Sequence, residues 1–182
     1  LAHLATMALP GGDRAALEPW RMGLSLLYRQ LGDQAFQPEH QPPSLQAIEP
    51  ARKQLLGQML AKKVNCPPSS SCGRLFDGVS ALLGLCLVSQ YEGQAAMLLE
   101  QQAVLADDAA VGRYPVVIAK NDDLLIIDSI AMVAALLDDL DQGMSLPGMA
   151  RSFHLWLVDS LVQSLGQLRS TTDLDQVVLA GG

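Results

Sequence analysis

Apolar residues recur at three- and four-residue steps along most of this chain of 182 residues. That spacing gathers them on one face of an α-helix, and every other reading has to respect it. From Arg14 to about Leu31 the step is kept by Leu17, Trp20, Leu24, Leu27 and Leu31. Pro19 is tolerable there only near the first turn. Asp13 stands as N-cap after the turn Leu9-Pro10-Gly11-Gly12-Asp13, and Gly32 terminates the helix. A second helix starts near Glu49-Pro50 and buries Leu55, Leu56, Met59 and Leu60. A third covers roughly Gly73 to Leu87, with Phe76, Val79, Leu82, Leu83 and Cys86 inward. A fourth runs from Gly93 to Leu105 on Ala96, Leu99 and Val104. Ser129 caps a fifth, in which Val133, Leu136, Leu137 and Leu140 face the core and which Gly143 ends. Pro147 opens the last and longest, which reaches about Leu168 through Phe153, Trp156, Leu157, Val158, Leu161 and Leu165.

The period changes in two places. Tyr114 to Ala119 and Leu124 to Ile127 flank Asn121-Asp122-Asp123, which predicts a hairpin. After the turn Ser170-Thr171-Thr172-Asp173, the run Val177 to Ala180 predicts a buried strand. Such a strand needs hydrogen-bonding neighbours, from the hairpin or from sheet residues beyond this chain. Residues 34–44, with Pro38, Pro42 and Pro43, and residues 65–71 read as internal loops. The expected fold class is therefore mainly α with a small β component, a hairpin plus a terminal strand, in one partial domain over residues 1–182. Aromatic residues are only 4%, so the interior is built from Leu, Ala, Val and Met, which suits helices.

Charge narrows the partners. Lys+Arg 12 against Asp+Glu 19 gives −7, and no basic cluster exceeds Lys62-Lys63. That excludes a phosphate-tracking nucleic-acid face and disfavours anionic membranes. A small nucleotide stays open, because backbone amides hold phosphates without net positive charge. No apolar run approaches the ~20 residues of a membrane span. Cys66, Cys72 and Cys86 match no zinc spacing, and an odd count of thiols in an acidic chain points to a reducing, cytoplasmic setting. His3, His40 and His154 are scattered, without paired ligand spacing. A start at Leu1 without Met, and an end at Gly181-Gly182 directly after an apolar run, read as an excised piece of a longer protein.

The densest run of unusual residues is Ser69-Ser70-Ser71-Cys72-Gly73-Arg74-Leu75-Phe76-Asp77-Gly78. Hydroxyls and a glycine at a helix start offer donors to an anion, and the helix dipole adds to them. Asp77 is expected one turn in, on the face opposite Val79 and Leu82, where a carboxylate can accept hydrogen bonds from sugar hydroxyls. The competing reading is N-capping plus an exposed acid. Tyr91-Glu92-Gly93-Gln94 is a second loop-to-helix junction. If the two helices form a hairpin, Asp77 and Gly93 face one cleft, and Gly93 permits close backbone approach to a ligand. An ordinary helix start is the alternative, and Gly11-Gly12-Asp13 takes the same two readings. Asp138, Asp139 and Asp141 crowd a helix end that the macrodipole makes unfavourable for them, which either a metal or a solvated surface explains. His154 beside the Phe153/Trp156 stripe reads as a packed histidine. No histidine neighbours a cysteine at fixed spacing, which argues against a thiol nucleophile.

Spacing alone names no reaction. In order and approximate spacing, Leu9-Pro10-Gly11-Gly12-Asp13 with Glu18-Pro19-Trp20-Arg21, Ser70 to Asp77, Tyr91-Glu92-Gly93-Gln94-Ala95-Ala96 and Val177 to Gly182 resemble the HypF-type carbamoyltransferases of nickel–iron hydrogenase maturation. The resemblance runs from Leu9 to the last residue and falls in the C-terminal, Kae1-like domain. It implies part of one lobe of an actin/Hsp70-like (ASKHA) fold. It also implies a whole protein that activates carbamoyl phosphate with ATP, forms a carbamoyl-adenylate, and passes the carbamoyl group to the C-terminal cysteine of a HypE-like partner. That group becomes a cyanide ligand of the hydrogenase iron. By the same resemblance Gly73, Asp77, Glu92, Gly93, Gly181 and Gly182 are nucleotide- or adenylate-binding, with Gly12, Asp13 and Arg74 in support. ATP and a divalent metal belong to the whole protein, the metal ligands lie outside this chain, no cofactor is expected tightly bound to it, and its catalytic residues stay unassigned. The 182 residues alone are expected to be inactive and to expose apolar surface that favours a homodimer. The competing functions are a helical protein-interaction module and a Kae1-like relative acting on tRNA or small molecules.

Overall fold

The computed structural model describes residues 1–122, 124–172 and 176–178. Two short strands open the chain, β1 (Ala2–Leu4) and β2 (Met7–Ala8). Helices α1 (Arg14–Leu17), α2 (Pro19–Leu31), α3 (Pro43–Gln46) and α4 (Pro50–Lys62) follow. Strand β3 (Pro68–Ser69) leads into α5 (Cys72–Leu82) and then α6 (Gln94–Val104). The hairpin strands β4 (Val117–Asn121) and β5 (Leu124–Asp128) precede α7 (Ile130–Asp141) and α8 (Leu146–Thr171).

Helices α2 and α5 form the centre, and small residues let them close. A methyl built on Gly23 would lie 3.2 Å from Ala81 Cβ, and one on Gly78 would lie 2.4 Å from Leu26 Cδ1. Trp20, Met22, Leu24 and Leu27 of α2 and Leu75, Val79 and Leu82 of α5 are buried together. On the other side Phe153 and Trp156 of α8 are fully buried, and Phe76 meets Phe153 edge-on at 4.9 Å. Helix α6 packs against both α5 and α8, with Leu99 inward.

Strand β5 sits in the middle of a three-stranded sheet of order β1-β5-β4. It pairs antiparallel with β4, Val117 opposite Asp128, and parallel with β1, His3 opposite Ile126. Strands β2 and β3 form a separate antiparallel pair, Met7 opposite Ser69. Arg29 of α2 reaches Asp128 of β5 at 3.0 Å and ties the sheet to the central helix. No helix among the described residues is long and apolar enough to cross a membrane.

The helical class and the hairpin agree with the sequence reading, and the departures have local causes. The first helix breaks at Glu18, because Pro19 can only begin a helix, giving α1 and α2. Asp13 makes no side-chain cap bond. Asp128, not the side chain of Ser129, accepts the Ile130 N–H at 2.9 Å. The expected loop 34–44 holds short 3-10 turns and the first residues of α3, and 65–71 contains β3. Leu55, Val104 and Val158 were expected inward but are exposed, since each helix packs along a stripe narrower than its apolar content. Val177 and Val178 lie in exposed irregular backbone rather than in a strand. The rest of that expected strand, Leu179 and Ala180, lies outside the described residues.

Candidate functional site

A groove of about 890 Å³ opens between the sheet, the segment that enters α5, and α8. Its lining comprises Ala2, His3 and Leu4 of β1, Ile127 of β5, the run from Pro68 to Gly73, Leu157 and Leu161 of α8, and Val178. One wall is thus apolar, and the facing wall is a serine-rich turn ending in a helix start. Ser71 holds the N-cap position of α5, but its hydroxyl makes no cap bond. Its own N–H donates to Ser69 Oγ at 3.2 Å instead, which folds the turn back on itself. The first amides of α5 therefore carry no side-chain cap, and Cys72 and Gly73, which open the helix, line the groove.

His3 Nδ1 lies 2.7 Å from the Leu4 carbonyl. A carbonyl only accepts, so Nδ1 is the donor in this contact. Cys72 is exposed as a residue, yet its sulfur is shielded enough that burial pushes the thiol up.

One turn into α5, Asp77 is 5% exposed rather than on an open face, because α5 is enclosed on nearly all sides. This corrects the competing reading of an exposed acid, while the helical step still sets Asp77 opposite Val79 and Leu82. Arg74 Nη1 touches Asp77 Oδ2 at 2.7 Å, without an N–H aligned on the oxygen, so both atoms keep unused hydrogen-bonding capacity. Burial pushes the Asp77 carboxyl up to about 6, and the Arg74 charge only partly opposes it.

The other expected site residues are dispersed. Gly93 opens α6 in the left-handed region at φ 79°, with nothing within 4 Å of a Cβ placed there, and Glu92 beside it is exposed. Gly12, at φ 59°, and exposed Asp13 belong to the turn below α2. Among these residues only Gly73 lines the groove, and only Arg74 and Asp77 meet each other. Gly181 and Gly182 lie outside the described residues. His154 is packed, its Nδ1 donating to Ala150 O at 2.7 Å and its ring 5.4 Å from Phe76. Asp138 and Asp141 line a smaller pocket of about 220 Å³ with Glu39 and His40. Among the described residues no group of three or more His, Cys, Asp or Glu is placed to hold a metal ion. Sequence reasoning missed the groove side formed by His3, Leu4, Ile127, Leu157 and Leu161. A strand of three residues carries no readable alternation, and the helical period of α8 reads Leu157 and Leu161 as core.

The chain matches the family described as carbamoyltransferase, Kae1-like domain, second subdomain, over residues 1–182. It is 34% identical to the carbamoyltransferase HypF homolog of Cupriavidus necator, covering 100% of this chain and 46% of that protein. It is 35% identical to carbamoyltransferase HypF of Rhodobacter capsulatus, covering 100% and 22%. A crystal structure of full-length HypF in the phosphate- and nucleotide-bound form superposes with a TM-score of 0.85 at 26% identity, over 100% of this chain and 27% of that one. The chain spans less than half the length of these relatives.

Proposed function

Because the chain belongs to the HypF family of carbamoyltransferases, as the second subdomain of the Kae1-like domain, we propose that it supplies one wall of the site where the whole protein handles ATP. In that reading the whole protein converts carbamoyl phosphate and ATP into a carbamoyl-adenylate, releasing inorganic phosphate and pyrophosphate. It then delivers the carbamoyl group to the C-terminal cysteine of a HypE-like partner. The observation that carries it is the uncapped start of α5 opening into a groove of about 890 Å³, with the underused carboxylate of Asp77 one turn behind it.

Each group has a task that follows from its chemistry. The amides of Cys72 and Gly73 donate to phosphate oxygens, and the dipole of α5 favours the negative charge there. Gly73 carries no side chain, so a phosphate can come close to the backbone. Asp77, reached when Arg74 swings off Oδ2, accepts hydrogen bonds from sugar hydroxyls, and the released guanidinium meets the phosphates. ATP supplies the adenylyl group, with pyrophosphate leaving; the residues of this chain bind and orient the nucleotide. The described residues do not fit a divalent metal, and no step here runs through one. A relative whose structure was obtained in a phosphate- and nucleotide-bound form supports the reading. The isolated chain carries out no transfer by itself in this account.

Calorimetric titration of the chain with ATP tests it. The wild type is expected to bind, and Asp77→Ala to bind roughly tenfold or more weakly, the usual effect of losing a charged hydrogen bond. Equal affinities would remove Asp77 from the site. Absence of binding by both would remove the groove.

A further inference from the structure

The block Glu18-Pro19-Trp20-Arg21 at the start of α2 takes no part in the reading above, although Glu18 there pairs with two guanidinium groups. Glu18 accepts from Nε of Arg21, one turn on, and from Nη2 of Arg52 on α4 at 2.7 Å. Both guanidinium carbons lie over the Trp20 ring, 4.9 and 4.8 Å from its centroid. Trp20 is fully buried, so the two cations rest on a ring locked in the core. Burial works to raise the Glu18 carboxyl, but its bonds to Arg21 and Arg52 outweigh that and hold it below the usual carboxylate range.

The far end of Arg21 faces the turn at Gly11-Gly12. A methyl built on Gly11 would lie 3.2 Å from Arg21 Nη1, so that side-chain end sits close against the turn, and the backbone φ of 92° is what calls for glycine there. A continuous series of contacts leads from that turn to the groove. Gly11 N–H donates to Asn65 O at 2.8 Å, and Leu9 N–H donates to Pro67 O at 2.9 Å. Strand β2 then pairs with β3, Met7 opposite Ser69. Ser69 Oγ accepts from the Ser71 N–H, and Ser71 hands the chain to α5. Pro68 to Gly73 are the polar wall of the groove.

We propose that Arg21 is a positioning residue for the groove. Clamped by Glu18 and seated on the Gly11-Gly12 turn, it fixes that turn against Asn65 and Pro67 and so sets the place of the Ser69–Gly73 wall. It does not line the groove and acts through the turn. Arginine suits the task because its planar guanidinium keeps Nε on Glu18 while Nη1 lies beside Gly11, a reach that a lysine ammonium cannot divide in this way. Its influence on nucleotide rests on the function proposed above, but its influence on the wall does not.

Hydrogen exchange on the 182-residue chain tests the proposal. In Arg21→Lys, amides of residues 66–74 are expected to exchange about tenfold faster, while those of α6 and α8 keep their wild-type rates. The control Arg113→Gln removes an exposed ion pair to Asp159 and is expected to leave residues 66–74 unchanged. Unchanged exchange at 66–74 in Arg21→Lys overturns the proposal, as does an equal rise throughout the chain. If that variant fails to fold, Arg52→Gln decides, since it removes only the arm whose side chain is 41% exposed. A smaller rise confined to 66–74 supports the proposal, and none overturns it. ATP titration separates the two claims. With ATP binding by the wild type, Arg21→Lys is expected to weaken it several-fold. Faster exchange at 66–74 with no ATP binding by the wild type overturns the nucleotide reading and leaves the positioning role standing.

Discussion

Arg74 Nη1 lies 2.7 Å from Asp77 Oδ2, yet burial still leaves the Asp77 carboxyl pushed up to about 6. Desolvation therefore outweighs the neighbouring cation. The native state holds this proton more tightly than the unfolded chain does, where the ordinary value is 3.8. The contribution is fully present below the unfolded value and is lost as pH rises through the native one. Relative to Asp77→Asn, which does not titrate, the wild type is expected to lose about 2–3 kcal/mol of stability between about pH 4 and pH 7. Urea unfolding of both proteins across that range measures it. Parallel stability curves would show that Asp77 titrates normally.

Two glycines set the limits of close packing. A methyl on Gly148 would sit 2.4 Å from the Ala110 carbonyl oxygen and 2.8 Å from Ser145 Oγ. A methyl on Gly78 meets Leu26 Cδ1 at 2.4 Å, but that is the end of a rotatable side chain. Backbone yields less than a side-chain tip, so Gly148→Ala is expected to destabilise by about 2–3 kcal/mol and Gly78→Ala by about 1–2 kcal/mol, helix propensity recovering part of each loss. Denaturant midpoints for both variants check the order.

The longer helices were legible because each carries a sustained apolar period, whereas the four-residue α3 is too short to show one, and the hairpin was legible because two apolar runs flank Asn121-Asp122. Strands β1, β2 and β3 were not, since two or three residues are too few to show alternation and their partners lie far away in sequence. Ala2–Leu4 becomes a strand only because β5 offers it a parallel edge. Of the site, the Gly73–Asp77 block was legible from residue types at a helix start. That Asp77 would be buried was not, because burial of its face depends on how the neighbouring helices enclose α5. His3 entered the groove through tertiary pairing alone.

Asp128 does two jobs with one oxygen. Its Oδ1 accepts the Ile130 N–H at 2.9 Å, capping α7, and meets Arg29 Nη2 at 3.0 Å. The ion pair is partly solvated, with side-chain exposures of 22% and 31%, so the cap is the larger share. Asp128→Ala is expected to cost about 1–2 kcal/mol, and Asp128→Asn, which keeps the capping oxygen, well under half of that. Thermal unfolding of the two variants distinguishes cap from charge. Equal losses would assign the effect to the ion pair.

The three thiols should differ in reactivity in a way that reports on the groove. Cys72 is exposed on the groove wall, Cys66 is half-buried, and Cys86 is buried. Only thiolate reacts, and burial raises the thiols of both Cys66 and Cys72. Iodoacetamide is therefore expected to label Cys72 first, Cys66 next and Cys86 only on unfolding, with the Cys72 rate still climbing above about pH 9. Peptide mass spectrometry reads each site separately. If nucleotide occupies the groove, saturating ATP slows labelling of Cys72 and leaves Cys66 alone. Equal protection of both would mean general tightening of the fold, and protection of neither would place ATP elsewhere.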